Sequence, residues 1–261
     1  MIVKKVIFDP SLIKKYNMRT KLSSLLTLLL LVLTTSCNFT ESIEIKEDGS
    51  GTMNFGMDGS QIMAMAGDEI AKEGQEERID STFSFKDLFA AKKDSIAKLP
   101  LDQQEKLKRL ENMTVKMLMD SKTSEFKIDM ITNFKNASEL KDMMNNLNEI
   151  KNMNKKEYAG ADKSPFESKA LVNYSYDGKK FIRKVTLPAD MEAVSDSLAM
   201  YMEVFEGSSY VLSYKFPKKI KSVSNKAAVI SDDKKSLTLG FTLSEYYTDP
   251  KSMNLEVTFE K

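Results

Sequence analysis

The chain has 261 residues, with 39 basic and 38 acidic side chains, a single cysteine and neither histidine nor tryptophan. The absence of histidine excludes imidazole metal sites and catalytic triads with a histidine base, and a single cysteine excludes an intramolecular disulfide. Without residues 1–36, 33 basic and 37 acidic side chains remain, and this mildly acidic balance argues against a nucleic-acid partner.

The N-terminal segment has the pattern of a secretory signal. Arg19 and Lys21 precede an apolar run from Leu25 to Leu33, and small residues then lead to Cys37. The run is about half the roughly 20 residues that a bilayer-spanning helix needs. A basic start, a short apolar stretch and a small-residue cleavage site together predict export.

The position of the single cysteine predicts a lipid anchor. The segment resembles a bacterial lipoprotein signal, which implies cleavage after Ser36 and acylation of Cys37, for example by palmitate; residues 1–36 are then the signal peptide. Two or three acyl chains hold a protein stably on a bilayer. The alternatives are an ordinary secretory signal and an uncut membrane anchor. Met18 begins a signal of ordinary length, so residues 1–17 are expected to precede the true start.

Two strands are predicted directly after the signal. Residues 41–47 and 52–57 alternate apolar and polar side chains, which is the period of a half-buried strand. Asp48-Gly49-Ser50-Gly51 lies between them, and Asp-Gly between alternating segments is a strong hairpin signal.

A helical insertion is predicted over residues 60–112. Helices are expected over 60–72 and 85–99, joined by a charged loop over 73–81. Pro100 ends the second helix. A third helix follows, because Asp102 and the glutamate three residues later form a capping-box pattern.

A second hairpin is predicted from residues 113–119 and 126–134, which return to the period of a strand. A helix is expected from about residue 136 to 147. Residues 148–168 are rich in Asn, Lys and Gly without periodicity, which predicts a mobile loop.

The C-terminal third is predicted to be mainly strands. Residues 170–176 and 180–187 flank Asp177-Gly178 as a third hairpin, and 189–205 has apolar residues at helical spacing. Five further short strands are expected at 210–216, 220–223, 227–230, 236–243 and 253–259.

These elements predict an α+β fold, in which antiparallel hairpins form a sheet that packs with several helices. Residues 37–261 are interpreted as a single lipid-anchored domain. The chain has 17 methionines; we expect them mainly to fill the core, although a groove for a lipid or peptide and a copper site are alternatives.

Several segments carry a family resemblance. The lipoprotein cysteine, the early DGSG turn, FKNASEL at 134–140 and the long C-terminal segment 214–243 resemble a family of Bacteroidota lipoproteins. More distantly, the chain is similar to the LppM-type domain of actinobacterial lipoproteins. The resemblance implies a lipid-anchored α+β module with a role in envelope lipid handling.

The sequence favours a binding protein over an enzyme. No motif for a cofactor or metal is present, and Asp48 and Asp232-Asp233 fit turns better than a catalytic site. The leading hypothesis is a non-catalytic, lipid-anchored lipoprotein of the bacterial cell envelope that binds a protein partner or an apolar ligand. The alternatives are a lipid carrier with an interior cavity and, less favoured, a hydrolase.

The expected location is the periplasmic face of the outer membrane. Surface-exposed Bacteroidota lipoproteins often carry a cluster of lysine and acidic residues directly after the cysteine, and residues 38–42 do not.

Overall fold

The computed structural model describes residues 38–61, 63–64, 78–140, 170–187 and 207–261. They belong to a compact unit that spans Ser36–Lys261. The strands in the described ranges are β1 (Asn38–Ile45), β2 (Gly51–Asp58), β3 (Arg78–Ser84), β4 (Met113–Asp120), β5 (Glu125–Phe134), β6 (Leu171–Tyr176), β7 (Lys180–Thr186), β8 (Ser209–Lys215), β9 (Ile220–Val223), β10 (Val229–Ile230), β11 (Ser236–Thr242) and β12 (Leu255–Phe259). The helices are α1 (Phe85–Ala91), α2 (Lys93–Ile96), α3 (Leu101–Arg109) and α4 (Leu243–Thr248), with 3₁₀ turns at Ala137–Glu139 and Pro250–Met253.

The strands form two sheets. The large sheet has eight strands in the order β10-β11-β8-β1-β2-β5-β4-β3, and the small sheet has four in the order β6-β7-β12-β9. Neighbouring strands are antiparallel except β1 and β8, which run parallel. The adjacent strands β1 and β8 therefore bring the start of the described chain next to its C-terminal third.

The two sheets share one hydrophobic core. Alternate residues of β8 are buried at Tyr210, Leu212 and Tyr214, and alternate residues of β12 are buried at Leu255 and Val257. Successive side chains of a strand point to opposite faces, so this pattern gives each sheet one apolar face. The two apolar faces cover each other, as in sheet-on-sheet packing.

Aromatic rings join the two sheets directly. The ring of Phe181 in β7 lies 5.3 Å from the rings of both Tyr214 in β8 and Phe216 just after it. Phe216 also lies 4.8 Å from Phe259 in β12. Such distances are within the favourable range for aromatic pairs.

The predicted hairpins are confirmed. β1 pairs with β2, β4 with β5, and β6 with β7, all antiparallel. Gly49 has φ +82° and Gly178 has φ +79°, a left-handed conformation that glycine adopts at low steric cost. The two Asp-Gly pairs thus supply the backbone geometry that the turns require.

The predicted α+β class, with several helices packed on a sheet, is wrong. The described part is mostly β, and α1 to α4 contain seven, four, nine and six residues. Phe85 is the one buried residue of α1, and α2 has none. The two sheets bury their apolar faces in one shared core, to which these short helices add only a few residues such as Phe85, Leu243 and Tyr247.

The segment 60–112 is not helical throughout. The predicted charged loop over 73–81 is wrong from Arg78 onward, because these residues start β3, which pairs with β4. β3 is an edge strand on which Arg78 and Asp80 are exposed while Ile79 is half-buried. Charged residues are common on edge strands. In β3 they interrupt the alternation of apolar and polar residues by which a strand is predicted.

Other predictions differ from the structure at helix ends. The predicted helix 85–99 is divided into α1 and α2, and α3 follows Pro100 without a side-chain cap from Asp102. Of the helix predicted from residue 136, the described residues form a 3₁₀ turn at Ala137–Glu139, and residues 141–147 lie outside the described ranges. α4 was not predicted. The signal peptide 1–36, the loop 148–168 and the helix 189–205 lie outside the described residues, as does most of the helix 60–72.

The described methionines largely fill the core. Met53, Met63, Met113 and Met253 are buried, whereas Met117 and Met119, on β4, are half-buried. The thioether side chain is flexible and fills irregular apolar space.

Candidate functional site

A buried ion pair joins the two sheets. Glu41 lies on the inward face of β1 in the large sheet, and Arg183 lies on the inward face of β7 in the small sheet. Arg183 donates from Nη2 to Glu41 Oε2 at 3.0 Å and from Nε to Glu41 Oε1 at 3.1 Å. The side chains of Arg183 and Glu41 are 1% and 2% exposed. This contact is therefore a bidentate salt bridge in the interior of the protein.

Three tyrosine hydroxyls complete the surroundings of the carboxylate. Tyr174 in β6 donates to Glu41 Oε1 at 2.8 Å, and Tyr210 in β8 donates to Oε2 at 2.9 Å. Tyr214 in β8 also donates to Oε1. The two oxygens of Glu41 thus accept five hydrogen bonds. We call these residues, Glu41, Arg183, Tyr174, Tyr210 and Tyr214, the Glu41 cluster.

The guanidinium has further partners. Arg183 donates from Nη1 to the backbone carbonyl oxygen of Met253 at 3.1 Å, and its Cζ lies 6.0 Å from the centre of the Tyr174 ring. An arginine above an aromatic ring gains a cation–π attraction. Arg183 therefore contacts β1, β6 and the 3₁₀ turn before β12 at once.

The cluster keeps its charges at neutral pH. Burial by itself raises the pKa of Glu41, but the positive charge of Arg183 and the hydrogen bonds from Arg183, Tyr214 and Tyr174 outweigh burial and hold that pKa below its ordinary value. Burial lowers the pKa of Arg183, yet the Glu41 carboxylate holds it well above its usual range. Glu41 is therefore a carboxylate and Arg183 a cation.

Tyr210 and Tyr214 remain protonated at neutral pH. Burial and the adjacent Glu41 charge raise the pKa of Tyr210 and of Tyr214 well above the ordinary value of tyrosine. A neutral phenol can donate its proton to the carboxylate, whereas a phenolate cannot. Tyr210 and Tyr214 therefore keep the protons that they donate to Glu41 at neutral pH.

The geometry of the cluster suits structure rather than chemistry. Glu41 and Arg183 are closed to solvent, and their charges are used in contacts with each other. A general base needs a proton of the substrate within hydrogen-bond distance, and a substrate has no path to these oxygens. The cluster instead links β1 and β8 of one sheet to β6 and β7 of the other.

A small pocket lies at another place on the large sheet. Its volume is about 100 Å³. An apolar floor contains Met53, Met113 and Phe134, and a polar rim contains Arg109 and Glu139. Pockets for small-molecule ligands commonly reach roughly 300–1,000 Å³, so this pocket admits only the end of an apolar group.

Exposed apolar side chains mark the edge of the large sheet. Phe83 in β3 is 44% exposed and Leu88 in α1 is 43% exposed. The Phe83 ring lies 5.7 Å from the ring of Phe85, which lies 5.5 Å from that of Phe89. We call Phe83 and Leu88, together with Phe85 and Phe89, the β3 patch. Exposed apolar groups of this kind often mark contact surfaces.

The residues singled out from the sequence occupy separate places. Ser36 and Cys37 lie outside the described residues, and the description begins with Asn38 at the start of β1. Asp48 Oδ1 accepts from the Ser50 amide at 3.0 Å, and Asp233 Oδ1 accepts from the Lys235 amide at 2.9 Å. These two aspartates stabilise turns, as predicted.

The described ranges contain neither a candidate membrane span nor a candidate metal site. None of the helices there combines the length and the apolar composition needed to span a membrane. The same ranges contain no group of three or more carboxylate, cysteine or histidine side chains placed to hold a metal ion.

The Glu41 cluster was missed from the sequence, although a signal for it exists. Glu41 shares the inward face of β1 with Phe39 and Ile43, and Arg183 shares that of β7 with Phe181 and Val185. A charge at an inward position of an alternating strand requires a partner. Two such positions of opposite charge would have suggested the pair.

Comparison with known proteins gives one distant structural likeness. No protein-family model matches the chain, and no curated protein matches it. The folded domain of the Mycobacterium tuberculosis LppM protein, solved by NMR, is similar at a TM-score of 0.36 and 9% sequence identity, over 86% of this chain and 90% of that one. The resemblance to LppM-type domains thus has a distant structural counterpart, and membership of a Bacteroidota family stays a prediction.

Proposed function

We propose that this chain is a non-catalytic lipoprotein domain of the bacterial cell envelope, attached to the membrane by lipid on Cys37 and acting by binding a protein partner. The observation that supports the anchor is the position of β1. This strand begins at Asn38, and Phe39 is already buried in the core. The described chain is thus already part of the large sheet at the residue that follows Cys37.

Incorporation of radiolabelled palmitate tests the anchor. Label is expected in the wild-type chain and not in Cys37→Ser, because the thiol is the acceptor of the diacylglyceryl group. Labelling of both chains, or of neither, would contradict the proposal. Equal amounts of the two chains on an immunoblot provide the control for expression.

The non-catalytic role is supported by the state of the charged cluster. Glu41 and Arg183 are buried and paired, and Asp48 and Asp233 are held by hydrogen bonds within turns. These carboxylates are used in the fold. Turnover of generic ester or glycoside substrates by the wild type, lost on substitution of a single serine or carboxylate, would instead favour a hydrolase.

The β3 patch is the surface that we assign to the partner. The order of the large sheet ends at β3, so its outer edge has no neighbouring strand within the described ranges. A free strand edge can pair with an extended segment of another protein, and adjacent apolar side chains add contact area. Phe83 and Leu88 are placed next to that edge.

A matched pair of leucine substitutions tests the surface. Leu88→Ser should weaken cross-linking to the partner in cells, whereas Leu101→Ser, at a leucine that is 78% exposed on α3, should not. Both leucines are exposed, so neither substitution should unfold the chain. Equal cross-linking by the two variants would contradict the assignment of the β3 patch.

A lipid carrier is the second candidate, and the pocket at Met53 and Phe134 favours an apolar ligand. Its volume of about 100 Å³ is small for a whole lipid, which is why we prefer the protein partner. Native mass spectrometry of the unit Ser36–Lys261 distinguishes the two. A co-purifying lipid supports the carrier, and an unliganded chain supports the partner-binding role.

For the location we propose the periplasmic face of the outer membrane. The support is the sequence after Cys37, which lacks the cluster of lysine and acidic residues expected for surface export. Protease added to intact cells should leave the protein whole and should degrade it after the outer membrane is opened. Degradation in intact cells would place the domain on the surface.

A further inference from the structure

The absence of a spacer between Cys37 and β1 has a consequence for how the domain lies on the membrane. Consecutive Cα atoms are about 3.8 Å apart, so Asn38 lies within one residue of the acylated cysteine. Asn38 is fixed in the sheet, since it pairs with Asp58 of β2 and with Ser209 of β8. Its side chain also accepts from the Ser209 hydroxyl at 2.6 Å.

The register of the large sheet shows which residues lie at the same end of the sheet as Asn38. Lys127 of β5 pairs with Asp58, and Thr242 of β11 pairs with Ser209. β5 begins at Glu125, two residues before Lys127, so the turn 121–124 between β4 and β5 lies at the same end of the sheet. The turn 46–50 between β1 and β2 lies at the opposite end, because the eight residues of β1 run from Asn38 to Ile45, a distance of seven residue steps. At roughly 3.3 Å per residue, the two ends are about 23 Å apart.

We propose that the domain sits on the membrane with this Asn38 end of the large sheet facing the lipid surface and the turn 46–50 facing away. The proposal rests on lipidation of Cys37, as proposed above. With no spacer to act as a flexible linker, the acyl chains draw the first residue of β1, and with it the adjoining strand ends, to the lipid headgroups.

The charges at the Asn38 end fit a headgroup surface. Arg78 donates to Asp120 at 2.7 Å, and Lys127 donates to Glu125 at 2.8 Å. Among the described residues at this end, these two pairs match opposite charges, although the chain after residue 36 is acidic as a whole. Paired charges reduce the repulsion that an unpaired acidic end would meet at anionic lipids.

The outer face of the sheet is a poor alternative contact. The outward positions of β1 are Thr40, Ser42 and Glu44, none of which is buried, and Glu44 forms an ion pair with Lys215 at 2.8 Å. A polar face gains nothing from contact with the apolar part of a bilayer. The strand end is therefore the favoured contact, with the sheet standing on the membrane.

Two cysteine substitutions test the orientation in the full, lipidated protein. Lys122→Cys places a thiol in the turn between β4 and β5, and Lys46→Cys places one in the turn between β1 and β2; both lysines are exposed. Acylated Cys37 has no free thiol, so a maleimide fluorophore labels only the introduced cysteine. The labelled proteins are purified from bacterial membranes and reconstituted in phosphatidylcholine vesicles with a spin-labelled headgroup lipid.

We expect the fluorophore at residue 122 to be quenched severalfold more strongly than that at residue 46. Equal quenching, or stronger quenching at residue 46, in protein that carries palmitate and floats with the vesicles would overturn the orientation while leaving the lipid anchor intact. Failure to incorporate palmitate or to float would overturn the anchor, and the orientation with it. The same labelled variants carrying Cys37→Ser provide the unanchored control, in which neither fluorophore should be quenched.

Discussion

Replacement of Arg183 by methionine should be among the most destabilising single substitutions in the described core. Methionine retains much of the length of the arginine side chain but not its charge. The substitution removes two hydrogen bonds to Glu41 and one to the Met253 carbonyl. It leaves a carboxylate that is 2% exposed without its counter-ion.

The expected cost follows from the burial of the pair. Removing one partner of a buried ion pair costs about 3–5 kcal/mol, because an uncompensated charge remains in the interior. An exposed pair is worth only about 0–1 kcal/mol. The three tyrosine donors still solvate the carboxylate in part, so we expect a value at the lower end of the buried range.

Urea unfolding of the unit Ser36–Lys261 provides the assay, followed by far-ultraviolet circular dichroism because the chain has no tryptophan. The free energy of unfolding comes from the midpoint and the slope. Lys215→Met is the matched control. It breaks the Lys215–Glu44 pair on the same sheet, whose side chains are 61% and 57% exposed, and it should leave the midpoint unchanged within error.

The pH dependence gives a second measurement on the same variant. In the wild type the pKa of Glu41 is lower in the folded than in the unfolded chain. Its contribution to stability is therefore present above the unfolded pKa and is lost as the pH falls through the folded pKa. Without Arg183, burial should raise the pKa of Glu41 in the folded chain. Protonation of Glu41 should then remove the uncompensated charge and reduce the loss of stability in the variant. The difference in unfolding free energy between wild type and Arg183→Met should shrink as the pH is lowered from 7 to 4. A cost below about 1 kcal/mol, or a difference that does not change with pH, would refute the reasoning.

Three further substitutions test other parts of the fold in the same unfolding assay. Tyr214→Phe removes a hydrogen bond to the charged carboxylate of the cluster and should cost about 1.5–3 kcal/mol; an unchanged midpoint would contradict a stabilising role for this hydrogen bond. Gly51→Ala places a Cβ 2.1 Å from the Glu44 carbonyl oxygen and should cost about 1–3 kcal/mol. Its control is Gly240→Ala, which has no atom within 4 Å of the new Cβ and should be neutral or stabilising. Similar changes in unfolding free energy for the two variants would contradict the close approach at β1. Thr242→Ala removes the capping box of α4 and should cost about 0.5–2 kcal/mol, and an unchanged midpoint would show that the cap is dispensable.

The parts of the fold that could be predicted from the sequence are those with local causes. Asp48-Gly49 and Asp177-Gly178 specify tight turns through the backbone freedom of glycine, and both hairpins are present. The alternation of apolar residues located β1, β2, β7 and β8 to within a few residues. These features depend on neighbours in the sequence and need no knowledge of the tertiary structure.

The parts that could not be predicted depend on contacts between distant residues. β1 pairs with β8 in parallel, and Asn38 lies beside Ser209, a pairing that no local pattern signals. The helical content was overestimated because segment 85–99 forms only the short helices α1 and α2, and residues 78–84 within the predicted helical insertion form β3. The pairing of β3 with β4 joins distant residues, and no local pattern signals it.

The Glu41 cluster depends both on local sequence pattern and on contacts between distant residues. The inward position of each charge can be derived from the alternation of its own strand. That Glu41 and Arg183, 142 residues apart, are partners follows only from the packing of the two sheets. A buried charge in an alternating strand is therefore a useful signal of a distant partner, but it does not name that partner.

Top-down mass spectrometry of the protein extracted from bacterial membranes tests the central claim most directly. The account predicts a chain that begins at Cys37 and carries the added mass of a diacylglyceryl group and an acyl chain on the cysteine. A chain that retains residues before Cys37, or one that begins elsewhere or has an unmodified Cys37 thiol, would contradict it.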